Sequence, residues 1–181
     1  MTDYFNICFA AILGHEGGYS DDRRDRGNWT GGEIGHGELR GTKFGISAAA
    51  YPVLDIVNLT VDQAREIYRA DYWAKIHGAD LPPAVALVTF DAAVNAGPGA
   101  AARWLQQSIG AKPDGVVGPV TLQAVRRYCD ANTVRSLVID LLARRAEHNR
   151  TAPTVHIHGL GWSRRLFRLA LDVGAGLAGE G

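Results

Sequence analysis

Glu16 is the side chain of this sequence whose setting best suits acid catalysis. It stands in the run His15-Glu16-Gly17-Gly18-Tyr19, directly after an apolar stripe at helical spacing. Glu16 follows Ile12 by four residues, so the pattern predicts a carboxyl group on the apolar face at the last helical turn. Burial and the negative end of the helix dipole both raise the pKa of such a carboxyl group. A carboxyl group that stays protonated near neutral pH is what glycoside hydrolysis needs to protonate the leaving oxygen.

The segment after Glu16 supplies candidate partners for this acid. Residues 17–46 hold nine glycines and few apolar side chains, which predicts an extended loop or small β-hairpin. Inverting cleavage needs a second group that activates or holds water on the opposite sugar face. Asp25 is the leading candidate for the base, and the hydroxyl of Thr42 is a candidate to hold the water. The alternatives among the loop acids are Asp21, Asp22 and Glu33.

Several side chains near this loop are candidates for sugar binding. Tyr19 and Trp29 lie in polar, glycine-rich surroundings, which favours a substrate cleft over a core position for their rings. Asn95, at the end of an apolar helix, either hydrogen-bonds an acetamido group or caps that helix. The predicted substrate-binding residues are Tyr19, Trp29, Phe44, Tyr72 and Asn95.

The rest of the chain is predicted to be helical. Thr60 and Gln63 form a capping-box pattern that starts a helix reaching about Trp73. Pro82-Pro83 starts the most apolar segment, our candidate for the central buried helix. Trp73 and Trp104 are expected in the core. Further helices are predicted over residues 3–16 and 48–50, around Trp104, and over residues 119–128, 133–149 and 161–173.

The remaining charged and polar features are expected to be structural. His156 and His158 are assigned to a loop, because no further metal ligands accompany them. The pairs Arg144-Arg145 and Arg164-Arg165 are expected on solvated helix faces, with contact to an anionic wall polymer as a second possibility. The glycine-rich tail from residue 174 is expected to be mobile.

Composition bounds the class of protein. The chain has 181 residues, 46% of them hydrophobic, and a formal net charge of zero, which argues against nucleic acid as a partner. Cys8 and Cys129 are expected to be free, buried thiols rather than a disulfide, and a metal site is not expected. The start of the sequence lacks the basic and small-residue features of a signal peptide, so we expect synthesis in the cytoplasm without export by that route. No apolar run is long enough to cross a bilayer.

Several short motifs follow one another in a fixed order along the chain. Those in the first half are Glu16-Gly17-Gly18-Tyr19, Asp25-Arg26-Gly27-Asn28-Trp29-Thr30, Gly41-Thr42-Lys43-Phe44-Gly45-Ile46-Ser47, Asn58-Leu59-Thr60 and Asp71-Tyr72-Trp73. Those in the second half include Asp114-Gly115-Val116-Val117-Gly118-Pro119 and Gly161-Trp162-Ser163-Arg164-Arg165. In this order they resemble glycoside hydrolase family 108, the phage endolysins and related bacterial N-acetylmuramidases. The match covers nearly the whole chain, apart from an insertion at residues 30–40.

The resemblance implies a lysozyme-like fold, mainly α, with residues 1–95 as the catalytic part and residues 96–175 as a helical peptidoglycan-binding part. It implies hydrolysis of the β-1,4 bond between N-acetylmuramic acid and N-acetylglucosamine, with Glu16 as the acid and no cofactor. The expected partner is the peptidoglycan glycan strand, which a monomer reaches after holin-type release and without membrane insertion. The alternatives are a chitinase, chitosanase or lytic transglycosylase on the same superfold, or a non-catalytic wall-binding, phage structural or secretion-assisting protein.

Overall fold

The computed structural model describes residues 4–13 and 18–178, over which the chain is mainly α-helical with one small β-hairpin. This confirms the predicted fold class. The chain divides into two compact units, one ending at Arg69 and the other beginning at Ala70. The functional boundary predicted between residues 95 and 96 stays a prediction, because compactness does not report what each part binds.

The elements are short in the first unit and long in the second. The α-helices of the described residues are α1 (Tyr4–Leu13), α2 (Val61–Tyr68), α3 (Pro83–Ala96), α4 (Pro98–Ser108), α5 (Pro119–Ala131), α6 (Val134–Thr151) and α7 (Val155–Ala178). The strands are β1 (Thr42–Lys43) and β2 (Ile46–Ser47). Single 3-10 turns cover Arg26–Asn28, Ala74–Ile76 and Gly78–Asp80, and a π-helical turn covers Arg69–Trp73.

Helix α1 supplies the core of the first unit through its predicted apolar stripe. Phe9 packs edge-on against Tyr68 of α2, with ring centroids 5.5 Å apart. The Arg65 guanidinium lies over the Phe9 ring, 5.6 Å from its centroid. Cys8 is a buried free thiol, and burial raises its pKa to about 12. Cys129 is also a free thiol but only half-buried. The buried side chains of α1 are Phe5, Cys8, Phe9 and Ile12.

Helix α2 begins with the predicted capping box. The Thr60 hydroxyl accepts from the Gln63 backbone N–H at 3.2 Å, and the Gln63 side chain accepts from the Thr60 N–H at 2.9 Å. The α-helix ends at Tyr68 rather than at Trp73, and the chain continues as the π-helical turn. Trp73 is buried, as predicted, and its ring meets Phe90 edge-on at 5.3 Å.

The two strands form a tight antiparallel hairpin. Thr42 pairs with Ser47 and Lys43 with Ile46. The connecting residues Phe44 and Gly45 both have positive φ, at 53° and 74°, as a type I′ hairpin turn requires. A left-handed backbone costs a non-glycine residue about 1–2 kcal/mol. The Tyr68 hydroxyl donates to the Phe44 carbonyl at 2.9 Å and so holds this turn against α2.

The predicted short helix at Ala48–Ala50 is wrong, because these residues form a turn. The backbone N–H of Ala48 donates to the Gly41 carbonyl at 2.9 Å, and that of Ala49 donates to the Gly27 carbonyl at 3.0 Å. Long-range bonds to the glycine-rich loop therefore replace the helical bonds that a run of three alanines favours.

Helix α3 is the central buried helix of the second unit, as predicted, and it packs against α4, α6 and α7. Its buried carboxylate, Asp91, is 3% exposed. Arg145 of α6, itself 4% exposed, forms an ion pair with one oxygen of Asp91. The Arg165 Nε of α7 donates to the other oxygen at 2.9 Å. One carboxylate thus joins three helices.

This cluster corrects the prediction that both arginine pairs lie on solvated faces. Arg145 is buried and Arg165 is mostly buried, since both bind Asp91. Arg144 is half-buried, and its guanidinium donates to the Ser108 hydroxyl at 2.9 Å. Arg164 is exposed, as predicted.

Helix α7 is longer than predicted. It begins at Val155, so His156 and His158 are helical rather than in a loop, and the His158 ring lies 5.7 Å from the Trp162 ring. It also continues to Ala178, so residues 174–178 are helical. The mobility expected of the tail stays a prediction. Trp104 of α4 is half-buried, with its ring 5.0 Å from that of His148. Over residues 4–13 and 18–178, no helix has the length and apolarity to span a membrane.

We expect Arg145→Met to lower the free energy of unfolding by about 3–5 kcal/mol, because it leaves the Asp91 carboxylate buried with an incomplete set of partners. The matched control is Arg150→Met, which removes an exposed ion pair with Glu147 and should change stability by less than about 1 kcal/mol. Urea unfolding followed by circular dichroism measures both. Equal effects of the two substitutions would contradict the role assigned to Asp91.

Candidate active site

The predicted acid, Glu16, lies outside the described residues, and its role stays a prediction. The described part of α1 before it carries the expected apolar face, with Ile12 buried and Leu13 half-buried. The description resumes at Gly18, and residues 18–51 form the loop that holds Asp25 and Thr42.

Asn28 is the centre of this loop. Its side chain is fully buried, although it comes from a glycine-rich, polar segment. The Asn28 Nδ2 donates to the Asp22 carbonyl at 3.0 Å, and its Oδ1 accepts from the Thr42 hydroxyl at 2.6 Å. Its carbonyl accepts from the backbone N–H groups of Arg40 and Gly41, both at 3.0 Å. A buried amide with all these bonds joins the start of the loop to β1.

The insertion after Trp29 is closed at its base by the two hydrogen bonds that the Asn28 carbonyl accepts from Arg40 and Gly41. Trp29 forms a single antiparallel bridge with Leu39. The Thr30 backbone N–H donates to the Glu38 carbonyl at 2.9 Å, and the Thr30 hydroxyl accepts from the Glu38 N–H at the same distance. The inserted residues therefore leave and rejoin the loop at one point, so the segments on either side of them remain adjacent.

Thr42 is fixed through both its backbone and its side chain. It exchanges backbone hydrogen bonds with Ser20 at 2.8 and 2.9 Å, which places it beside the segment that follows Gly18. Thr42 is half-buried, and its hydroxyl donates its proton to the Asn28 Oδ1. The oxygen lone pairs of this hydroxyl stay available to accept a hydrogen bond.

The loop acids differ in how their carboxylates are engaged. Asp25 caps the 3-10 turn, with its Oδ1 accepting from the Gly27 backbone N–H at 2.8 Å, and its side chain is exposed. Asp22 binds the Arg24 guanidinium through both oxygens, at 2.8 to 3.3 Å. The hydrogen bonds from Arg24 lower the pKa of Asp22 to about 2. Both Asp22 oxygens accept from Arg24, whereas only the Oδ1 of the exposed Asp25 accepts from Gly27, so Asp25 is the better-placed candidate base.

The two other loop acids, Glu33 and Asp21, are weaker candidates for the base. Glu33 lies in the insertion, exposed, with its carboxylate 3.9 Å from the His36 ring nitrogen. Asp21 is exposed. Within residues 4–13 and 18–178, no three His, Cys, Asp or Glu side chains gather as metal ligands.

Three of the predicted sugar-binding aromatics belong to the same loop. Tyr19 is 40% exposed, and Trp29 and Phe44 are half-buried. The Trp29 indole N–H donates to the Arg23 carbonyl at 3.0 Å. This ring can therefore stack on a sugar, but its N–H is already engaged and does not donate to the sugar. The strained backbone at Phe44 is a feature often found at ligand-binding sites.

The other two predicted sugar-binding residues belong to the second unit. Tyr72 is half-buried in the π-helical turn. Asn95 is exposed at the end of α3, and its Nδ2 donates to the Asp91 carbonyl at 2.8 Å. This bond lies within the helix, whose C-cap is Gly97 rather than Asn95, so the predicted capping role is wrong. The role of Asn95 toward an acetamido group stays a prediction.

Comparison with known proteins identifies the family. The family model described as Glycosyl hydrolase 108 matches residues 9–97. The solved structure entitled "Structure of Brucella abortus SagA" is 31% identical, covers 94% of both chains and superposes with a TM-score of 0.79. The chain belongs to the glycosyl hydrolase 108 family. A comparison with curated proteins finds no match.

Family membership makes the chain a glycosidase with a glycan substrate. It also confirms the lysozyme-like fold, since the similarity to the solved structure extends over both units. The matched range 9–97 contains every predicted site residue, from Glu16 to Asn95. It also contains Asn28, which our sequence reasoning missed because a polar residue among glycines is usually exposed.

We expect Gly41→Ala to be more damaging than Gly35→Ala, although both glycines have φ near +80°. A Cβ at position 41 would lie 2.5 Å from the Tyr19 ring and 2.6 Å from the Ser20 carbonyl oxygen, whereas position 35 is open. Gly35→Ala should lower the free energy of unfolding by about 1 kcal/mol through its backbone alone. Gly41→Ala should lower it by at least about 2 kcal/mol, because overpacking adds to that strain. Urea unfolding of both variants tests this, and equal losses would contradict the packing of Tyr19 on Gly41.

Proposed function

We propose that this glycosidase hydrolyses the β-1,4 bond between N-acetylmuramic acid and N-acetylglucosamine in peptidoglycan. The observation that carries the proposal is the loop centred on Asn28. It follows the Glu-Gly-Gly-Tyr motif directly and contains the exposed Asp25 and the half-buried Thr42. In an inverting glycosidase a carboxylate activates the water, and a hydroxyl can help to hold it.

In the proposed mechanism, Glu16 protonates the oxygen of the leaving sugar. Asp25 takes a proton from water, and the Thr42 oxygen accepts a hydrogen bond from that water. Asp25 suits this role because one of its oxygens is oriented by the Gly27 N–H while its side chain stays exposed. The faces of Tyr19, Trp29 and Phe44 would support the sugar rings.

Residues 96–175 are proposed to bind the wall polymer. The buried side chain of Gln106 supports this, because it orders the turn that carries the Asp-Gly-Val-Val-Gly-Pro motif. The Gln106 Nε2 donates to the Asp114 carboxylate at 2.6 Å and to the Val116 carbonyl at 3.0 Å. The ordered turn presents Val116 with 67% of its surface exposed, and Val120 follows at 77%. We further propose that the protein acts as a monomer at the bacterial wall after release from the cytoplasm.

We expect Glu16→Gln to abolish the clearing of a suspension of purified peptidoglycan, because the amide has no proton to give to the leaving oxygen. The loss should be about 10²- to 10⁴-fold, the usual contribution of a general acid. The matched control is Glu147→Gln, which changes an exposed glutamate paired with Arg150 and should keep full activity.

Circular dichroism and sedimentation with insoluble peptidoglycan complete this test. The Glu16→Gln protein should fold and still sediment with the wall, while releasing no soluble fragments. If it cleared the suspension as well as the unsubstituted protein, Glu16 would not be the acid. If the unsubstituted protein sedimented with the wall but released nothing, the chain would be a binding protein and not a wall hydrolase.

A further inference from the structure

We infer that Asn28 is a positioning residue that makes the Thr42 hydroxyl an obligate hydrogen-bond acceptor toward the substrate water. The inference rests on the proposed function of the loop and adds to it a residue with no contact to substrate. It follows from the number of protons and lone pairs that the two side chains carry.

The orientation of the Asn28 amide is determined by its neighbour. Its Nδ2 lies 3.0 Å from the Asp22 carbonyl oxygen, which can only accept. The flipped amide would set two oxygens against each other, so the Oδ1 must face Thr42. Full burial of Asn28 prevents water from replacing either partner.

The orientation of the Thr42 hydroxyl follows from that of the amide. A hydroxyl group has one proton, and Thr42 donates it to the Asn28 Oδ1 at 2.6 Å. The short distance indicates a strong bond. Toward any other group, Thr42 can therefore only accept a hydrogen bond. It cannot also donate to the oxygen of a water or a sugar.

This polarity suits the water of a glycosidase. A water that donates one O–H to Thr42 and the other to a carboxylate has its lone pairs turned away from both. Those lone pairs are the electrons that form the new bond to the anomeric carbon, while the glycosidic bond breaks and the leaving oxygen takes a proton from Glu16. The proton of the water passes to the carboxylate, so atoms and charge balance.

The Asn28 side chain is not what closes the loop, because the closing hydrogen bonds are between backbone groups. The bonds that close the insertion run from the Arg40 and Gly41 N–H groups to the Asn28 carbonyl, and they do not involve its side chain. The pairing of Ser20 with Thr42 is also between backbone groups. Substitution of the Asn28 side chain therefore leaves these four backbone bonds in place.

A double-mutant cycle on kcat tests the inference, with purified peptidoglycan as substrate and the four proteins wild type, Asn28→Ala, Thr42→Val and the double variant. Each single substitution should lower kcat by about 10²-fold with little change in KM, since a misplaced reactant costs that much. Because Asn28 acts through Thr42, the double variant should be no slower than Thr42→Val. Losses that multiply to about 10⁴-fold would overturn the inference, because they would mean independent roles.

Conservative variants provide a second readout that a purely structural role would not move. Thr42→Ser, which keeps the hydroxyl, should recover most of the rate that Thr42→Val loses. Asn28→Asp keeps an oxygen that accepts the Thr42 proton whether or not its carboxyl is protonated, so its kcat should exceed that of Asn28→Ala. Equal kcat values for the folded Asn28→Asp and Asn28→Ala proteins would overturn the inference.

The controls separate this inference from the proposed function. Asn58→Ala removes an exposed asparagine that donates to Asp55 at 2.8 Å in the same unit, and should keep the wild-type kcat. Glu16→Gln is measured in the same assay. If the wild type is inactive or Glu16→Gln is active, the proposed function fails. If Glu16→Gln is inactive while Asn28→Ala retains the wild-type kcat, the inference on Asn28 fails alone. If Thr42→Val also retains it, the water-holding role of Thr42 in the proposed mechanism fails too.

Discussion

The order of the candidate site depends on one buried residue, through both its backbone carbonyl and its side chain. Asn28 has every polar group of its side chain and its carbonyl engaged, and its partners come from Asp22, Arg40, Gly41 and Thr42. A loop with so many glycines has few apolar side chains to bury, so hydrogen bonds must supply its order. The same bonds let an insertion leave the loop without separating the two segments that carry Asp25 and Thr42.

Much of the architecture could be predicted because its signals are local. The capping box at Thr60, the proline start of α3 and the apolar stripe of α1 each depend on residues three or four apart in the sequence. The glycine-rich hairpin region and the family were recognisable for the same reason, since their motifs are short continuous runs.

The features that could not be predicted depend on residues distant in the sequence. Arg145 looks like a solvated helix residue until Asp91, 54 positions earlier, is placed against it. Ala49 lies in a run of alanines that favours a helix, but its backbone N–H donates to the distant Gly27 carbonyl instead. The residues next to Asn28 in the sequence do not indicate that it is buried and bonded to Thr42. In each case a partner that the sequence does not place nearby overrides local preference.

The most direct test of a wall-cleaving hydrolase is the chemistry of the ends that it makes. Purified peptidoglycan would be digested in H₂¹⁸O and the soluble fragments analysed by mass spectrometry. We expect fragments that end in reducing N-acetylmuramic acid with ¹⁸O at the anomeric position, because water attacks that carbon. Anhydro-muramic ends without ¹⁸O, or reducing N-acetylglucosamine ends, would contradict it.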